Sequence, residues 1–232
     1  MPLRKYWTMD QVKQKILLDC DLIGQNFITT EEMAGYINQA VDQAEREVHA
    51  LYKDYFLKRE GINMTAGQEL FDLPDDIYAD KVRRLVFSND ADIFEIPRVK
   101  QWNKFIEYHV NKRYPTNRLY EYILVNPAPG KVQILLTPPS QDVGCFLNIW
   151  YLRQANRVVN QNDLVDIPEA YNFIFAFVKN KIFTKEGDTS KMEIAMQDEE
   201  RERKRLREDL SGRVPDDDNK IELDTTFYEE MS

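Results

Sequence analysis

DLVDIPEAYNFIFAFVKNKIFTKEGD, residues 163–188, is the most periodic and most aromatic stretch of the chain. Tyr171, Ile174, Phe175, Val178, Ile182 and Phe183 recur at steps of three and four, which places them on one face of an α-helix. Phe173 and Phe177 widen that face, so the helix is expected to be covered on more than one side. Pro168 suits a first helical turn, where a missing N–H costs nothing, and Asp166 precedes it as a candidate N-cap. Gly187 ends the segment. Lys185 sits in the last turn, where a cation favours the helix dipole.

Toward the N-terminus, Thr8 with Gln11 and Thr29 with Glu32 are two capping boxes, the second with Ile28 placed as a hydrophobic staple. After Thr8, Val12, Ile16, Leu17, Cys20 and Ile23 give an apolar face that stops at Gly24. After Thr29, Met33, Ile37, Val41, Val48, Leu51, Tyr52 and Tyr55 hold helical period for about six turns. The two segments predict an antiparallel helical hairpin.

Between the hairpin and the aromatic helix the period changes at Gly61. Gln68–Leu73, Lys81–Phe87, Asp92–Ile96, Tyr120–Val125, Val132–Leu136 and Phe146–Leu152 read as strands, and Val99–His109 as a short helix. The turn Asn126–Gly130 (NPAPG) joins the clearest hairpin. Residues 62–153 thus predict an antiparallel β unit of about five strands. Beyond the aromatic helix, Thr189 or Ser190 caps a last helix, Lys191–Leu210, whose second half pairs opposite charges such as Glu199–Arg203 and Glu200–Lys204.

The expected fold is α+β. A helical bundle, made of the N-terminal hairpin and two C-terminal helices, carries an antiparallel β insert and an extended C-terminal tail. The segments are 1–60 (arm and hairpin), 61–153 (insert), 154–211 (helices completing the bundle) and 212–232 (acidic tail). Hydrophobic residues make up 43% and aromatics 12% of the 232, enough for a core. No apolar run is long enough to span a bilayer and no signal peptide is evident, so a soluble protein made in a cytoplasm, without a membrane partner, is expected. Cys20 and Cys145 suggest no disulfide framework and read as small buried hydrophobes.

The chemistry of catalysis is missing from the sequence. The only histidines are His49 and His109. No Cys/His cluster has zinc spacing, and there is no Gly-rich phosphate loop or nucleophile elbow. Asp216–Asp218 lies in a Pro-flanked tail, Asp75-Asp76 is turn chemistry, and Glu199-Glu200 belongs to a solvated helix face. The reading is therefore no enzyme, no catalytic or metal residues and no cofactor.

Partner chemistry is better represented. Arg4, Lys5, Tyr6 and Trp7 form a basic, aromatic arm. Arg201, Arg203, Lys204 and Arg205 stud the charged helix. Ile221, Leu223, Phe227 and Tyr228 are apolar residues in an acidic tail, which reads either as ordered on a partner or as a solvated end. These twelve residues are the candidate partner contacts. The β insert is locally basic through Lys81, Arg83, Arg84, Arg98, Lys100, Lys104, Lys112, Arg113 and Arg118, with aromatics interleaved. That composition fits either nucleic acid or an acidic neighbour. A net charge of −9 disfavours broad phosphate binding, and a basic insert with an acidic tail in one chain favours head-to-tail self-association.

The order of elements resembles a known family. The pieces that carry the likeness are ELFDLPDDIYADKVRRLVF (69–87), YILVNPAPGKVQILLTPPS (122–140), LNIWYLRQANRVVNQND (147–163) and VDIPEAYNFIFAFVKNKIFTKEGDTSKMEIAMQDEER (165–201). Together they resemble the head-to-tail adaptor, connector or neck-ring proteins of tailed bacteriophages. The likeness is to the podovirus-type adaptors that include tail tubular protein A. It covers roughly residues 28–205 at the level of pattern; the acidic tail has no counterpart in it.

The resemblance implies a structural virion protein of the neck or tail, assembled in the bacterial host cytoplasm. It implies a ring, typically of twelve copies, joining the capsid portal protein to the tail or nozzle protein, with genomic DNA passing through the lumen. The helical part would build the ring, and a C-terminal segment could reach the portal. Twelve copies at −9 each would carry about −108, a wall that repels DNA and lets it slide. Another tail-completion or tail-hub ring protein, and a nucleic-acid-binding module using the basic insert, are the alternatives.

Overall fold

A computed structural model of the protein describes residues 6–24, 27–89, 93–99, 103, 106, 110, 120–139 and 145–212. The architecture is α+β. The chain divides into two compact units: the described residues up to Lys53 and from Arg157 onward form one, and Asp54–Asn156 the other.

The first unit is helical. It holds α1 (Met9–Asp19), α2 (Thr30–Leu51), α3 (Tyr171–Glu186) and α4 (Thr189–Ser211). The aromatic helix α3 is central: it packs against α1, α2 and α4. Tyr171, Phe173, Ile174, Ala176, Phe177, Val178 and Ile182 are all buried, which is why its apolar residues run around more than one face. On the helices packed against it, Val12 and Ile16 of α1, Met33, Ile37 and Val41 of α2, and Leu206 and Leu210 of α4 are buried. A two-residue strand β1 (Trp7–Thr8) pairs antiparallel with β9 (Leu164–Val165) at the entry to α3.

Both capping boxes form. Thr8 and Gln11, then Thr29 and Glu32, exchange side-chain and backbone hydrogen bonds of 3.0–3.2 Å. The other helix ends depart from expectation. Pro168 opens a 3₁₀ turn, Pro168–Ala170, and the α-helix starts only at Tyr171; Ile167, not Asp166, holds the cap position of the turn. Asp188, not Thr189 or Ser190, caps α4, accepting the Lys191 N–H at 3.0 Å. Gly187 does close α3, at φ 78°, where a side chain would be strained.

Helix α2 ends at Leu51, so Tyr52 and Tyr55 are not its last turn. Tyr55 instead sets its ring edge-on to Phe56, 4.7 Å away, and Phe56 lies under the Arg153 guanidinium at 4.7 Å. The apolar spacing continues past the helix because the next residues belong to another core.

That core is a sandwich of two antiparallel sheets with seven strands among the described residues. One sheet has the order β2-β8-β4-β5, built from Leu57–Asn63, Phe146–Arg153, Ile77–Ser88 and Ile93–Glu95. The other runs β3-β7-β6, from Leu70–Asp72, Lys131–Thr137 and Glu121–Ala128. Phe71, Leu85, Phe87, Tyr122, Ile134, Leu136, Leu147, Ile149 and Tyr151 fill the space between. The hairpin tip tightens to Pro129-Gly130, with Ala128 opposite Lys131 and Gly130 at φ 76°. Strand β2 was not expected. The helix expected over Val99–His109 lies mostly outside the described residues.

Candidate interface

In the helical unit, a groove of about 550 Å³ opens between α1, α3 and α4. Its floor is aromatic. Trp7 lies 5.7 Å from Tyr171 and 5.5 Å from Phe175, ring to ring. The backbone dictates this stack: β1 pairs with β9, and the Trp7 N–H donates to the Tyr171 hydroxyl at 2.7 Å. That hydroxyl in turn donates to the Val165 carbonyl at 3.0 Å. Burial raises the Tyr171 phenol above its ordinary value, so it remains a protonated donor.

The rims are charged and of mixed sign. On one side Asp19 accepts from Lys15 at 2.5 Å and from Lys179 at 2.7 Å, tying α1 to α3. Burial by itself would raise the Asp19 carboxyl, but the two lysines outweigh it and hold it below the usual carboxylate range. Beside it, burial pushes the Cys20 thiol up to about 11, where it is neutral and poorly reactive. On the other side Arg201 pairs with Asp198 at 2.7 Å, and Glu202 accepts from Arg205 at 2.7 Å. Leu18 and Ile194, on the same helices, are exposed. Aromatic residues with arginine over a mixed-charge rim are the composition of a protein contact surface. A groove carrying four carboxylates against three cations repels phosphate.

The structure distributes the candidate partner contacts unevenly. Tyr6 is exposed, and Trp7 and Arg201 line the groove. Lys204 faces outward beside Glu208, at 3.9 Å. Arg203 turns inward: it donates to Gln43 at 2.7 Å and Glu199 at 3.0 Å, and its guanidinium lies 5.4 Å over the Phe173 ring. Arg4, Lys5, Ile221, Leu223, Phe227 and Tyr228 lie outside the described residues. Lys15, Asp19, Asn172, Lys179 and Glu202 also line the groove and were not singled out in the sequence. The one local signal was the Lys15–Asp19 spacing of four, common on any solvated helix.

Two polar networks in the β unit were also missed. Asp76 accepts from Lys58 at 2.8 Å and from the Tyr151 hydroxyl at 2.6 Å, and that hydroxyl also meets Glu60 at 3.1 Å. On the outer face of the same sheet, Arg59 stacks 5.1 Å over Trp150 and donates to Asn148, which donates to Ser88. Each polar side chain here fastens one strand to the next, so both networks are braces of the sandwich. Among the described residues no group of three or more His, Cys, Asp or Glu is placed to hold a metal ion, and no helix is long and apolar enough to cross a membrane.

The family model for the SU10 adaptor protein matches residues 7–219. No curated protein matches the chain. The match spans nearly the whole sequence, both units included, and the chain belongs to the SU10 adaptor family: it is a phage adaptor, a structural component of the virion that works with other head and tail proteins.

Proposed function

We propose that the protein assembles as a ring, of twelve copies, between the capsid portal and the tail, and that packaged DNA passes through its lumen. The observation that carries this is the adaptor-family match over residues 7–219. The podovirus-type layout read from the sequence supports the same place in the particle. The groove adds a physical reason. A chain that closes a ring must present a surface that another protein covers, and an aromatic floor with a mixed-charge rim suits such a role. Catalysis is no part of the proposal. The net charge of −9 per copy suits a conduit that DNA does not adhere to.

The test is the solution mass of the protein, alone and mixed with the portal ring of the same genome, followed by negative-stain imaging. A stoichiometric ring on the portal is expected, and imaging then counts the copies. A protein that ignores the portal at high concentration would move it to another level of the tail.

A further inference from the structure

The β unit carries a second groove of about 550 Å³, lined by Lys81, Arg83, Arg98, Asp80 and the apolar Val82, Leu124 and Val132. Among its described lining residues are three cations and one carboxylate; Arg83 is already paired with Asp54 at 3.5 Å, which leaves Lys81 and Arg98 to make it a positive site in a chain of net charge −9. Among the described residues no salt bridge engages Lys81 or Arg98; both are exposed, and the Lys81 ammonium stands 5.0 Å over the Tyr78 ring. The backbone beneath is strained. Ala79 and Asp80 are consecutive non-glycine residues at φ 48° and 54°, inside strand β4. The pairing with β8 slips there, and Arg83 is the extra residue between Val82, opposite Tyr151, and Arg84, opposite Trp150. A bulge of this kind re-aims side chains that regular pleating would send elsewhere.

We propose that this cationic groove takes the acidic run Asp216–Asp218 of a second copy of the chain, so that copies join head to tail. The inference rests on the ring proposed above and names one of its joints. Charge complementarity selects the occupant. Residues 213–232 hold seven carboxylates against Arg213 and Lys220. Val214 and Pro215, just before the aspartates, match the apolar floor of Val82, Leu124 and Val132. Duplex DNA is the weaker fit. It would gain only Lys81 and Arg98 here while facing a chain that is acidic overall.

The test uses the full chain and a fluorescent peptide of residues 213–232, read by anisotropy. The peptide is expected to bind, to weaken with added salt, and to lose roughly tenfold or more in affinity to the K81E/R98E variant. Both substituted residues are exposed, and an unchanged circular dichroism spectrum would show that the variant is folded. No peptide binding, or equal binding to K81E/R98E, would overturn the proposal. So would binding of a 20-base-pair duplex, but not the peptide, lost in the same variant. A mixing experiment then separates a second copy from the chain's own tail. K81E/R98E is mixed with D216N/D217N/D218N above the concentration at which the peptide binds. One-to-one dimers in the mixture, absent from either variant alone, are expected, and their absence would overturn the second-copy assignment. If wild type and K81E/R98E both ring the portal, this joint fails while the adaptor reading stands.

Discussion

The hydroxyl of Tyr171 accepts the backbone N–H of Trp7 at 2.7 Å, across 164 residues of sequence. The same oxygen donates to Val165, so a side chain at the start of α3 bridges strands β1 and β9. The arm that enters the fold and the helix at its centre are thereby one piece of structure.

Tyr171→Phe removes that bridge and keeps the ring. One hydrogen bond with partial burial is worth about 1–2 kcal/mol. The expected result is a loss of that size in urea unfolding, with greater solvent quenching of Trp7 fluorescence in a W102F/W150F background. Unchanged quenching would show that strand pairing alone holds the arm.

Phe173 is 1% exposed, with Phe177 of α3 and Arg203 of α4 against its ring, whereas Phe175 and Phe183 are only half-buried. Phe173→Ala should cost about 3–5 kcal/mol, and Phe175→Ala distinctly less. Denaturant titration of both variants gives the order. Equal costs would place the weight of the core on the groove side of α3.

The two capping boxes and the central helix were legible because their signals are local: Thr8–Gln11, Thr29–Glu32 and the three-four spacing after Tyr171 each lie within a few turns. Strand β2 was not. Its sequence, LKREGIN, has no apolar alternation, because it forms a sheet edge with nearly every residue exposed. Charged side chains on such an edge protect it from unwanted pairing and erase the strand signature. The groove was illegible for a different reason. Lys15 and Lys179 meet over Asp19 only after α1 and α3 have packed, and no spacing rule reaches that far.

Asp19 also sets an acid response. Its folded carboxyl titrates below the ordinary value near 3.8. The stability it contributes is therefore complete above that value and fades as the pH falls through the depressed one. Asp19→Asn should lower stability at neutral pH by about 1 kcal/mol and flatten the fall between about pH 5 and 2. Thermal melts across that range check the sign, and a variant that loses stability equally at all pH values would assign the effect to packing.

Helix α4 starts on a single side chain. The Asp188 carboxylate accepts the Lys191 N–H, and that bond outweighs burial and holds its carboxyl below the usual range. Asp188→Ala should lower the melting temperature, while Asp188→Ser, a comparable cap, should restore most of the loss. Thr189→Ala should be near neutral, and a Thr189 variant as damaging as D188A would return the cap to the position the sequence first suggested.

The Tyr151 hydroxyl offers the sharpest separation of packing from polarity. The residue is 0% exposed in the sandwich core, yet its oxygen reaches Asp76 at the surface. Burial would raise the Asp76 carboxyl; hydrogen bonds from Lys58 and Tyr151 outweigh that and keep it ionised. Tyr151→Phe deletes one of those bonds, but Asp76 retains Lys58 and is open to water, so no buried charge is stranded. The expected cost is about 1 kcal/mol. Tyr151→Ala empties a core position and should cost about 3–5 kcal/mol. Lys58→Met tests the other support: it leaves Asp76 with the phenol alone and should raise its carboxyl, so stability should fall off at a higher pH than in wild type. If instead Tyr151→Phe proves as costly as Tyr151→Ala, the phenol and not the ring holds β8 to the turn before β4, and the brace would outrank the core at that end of the sandwich.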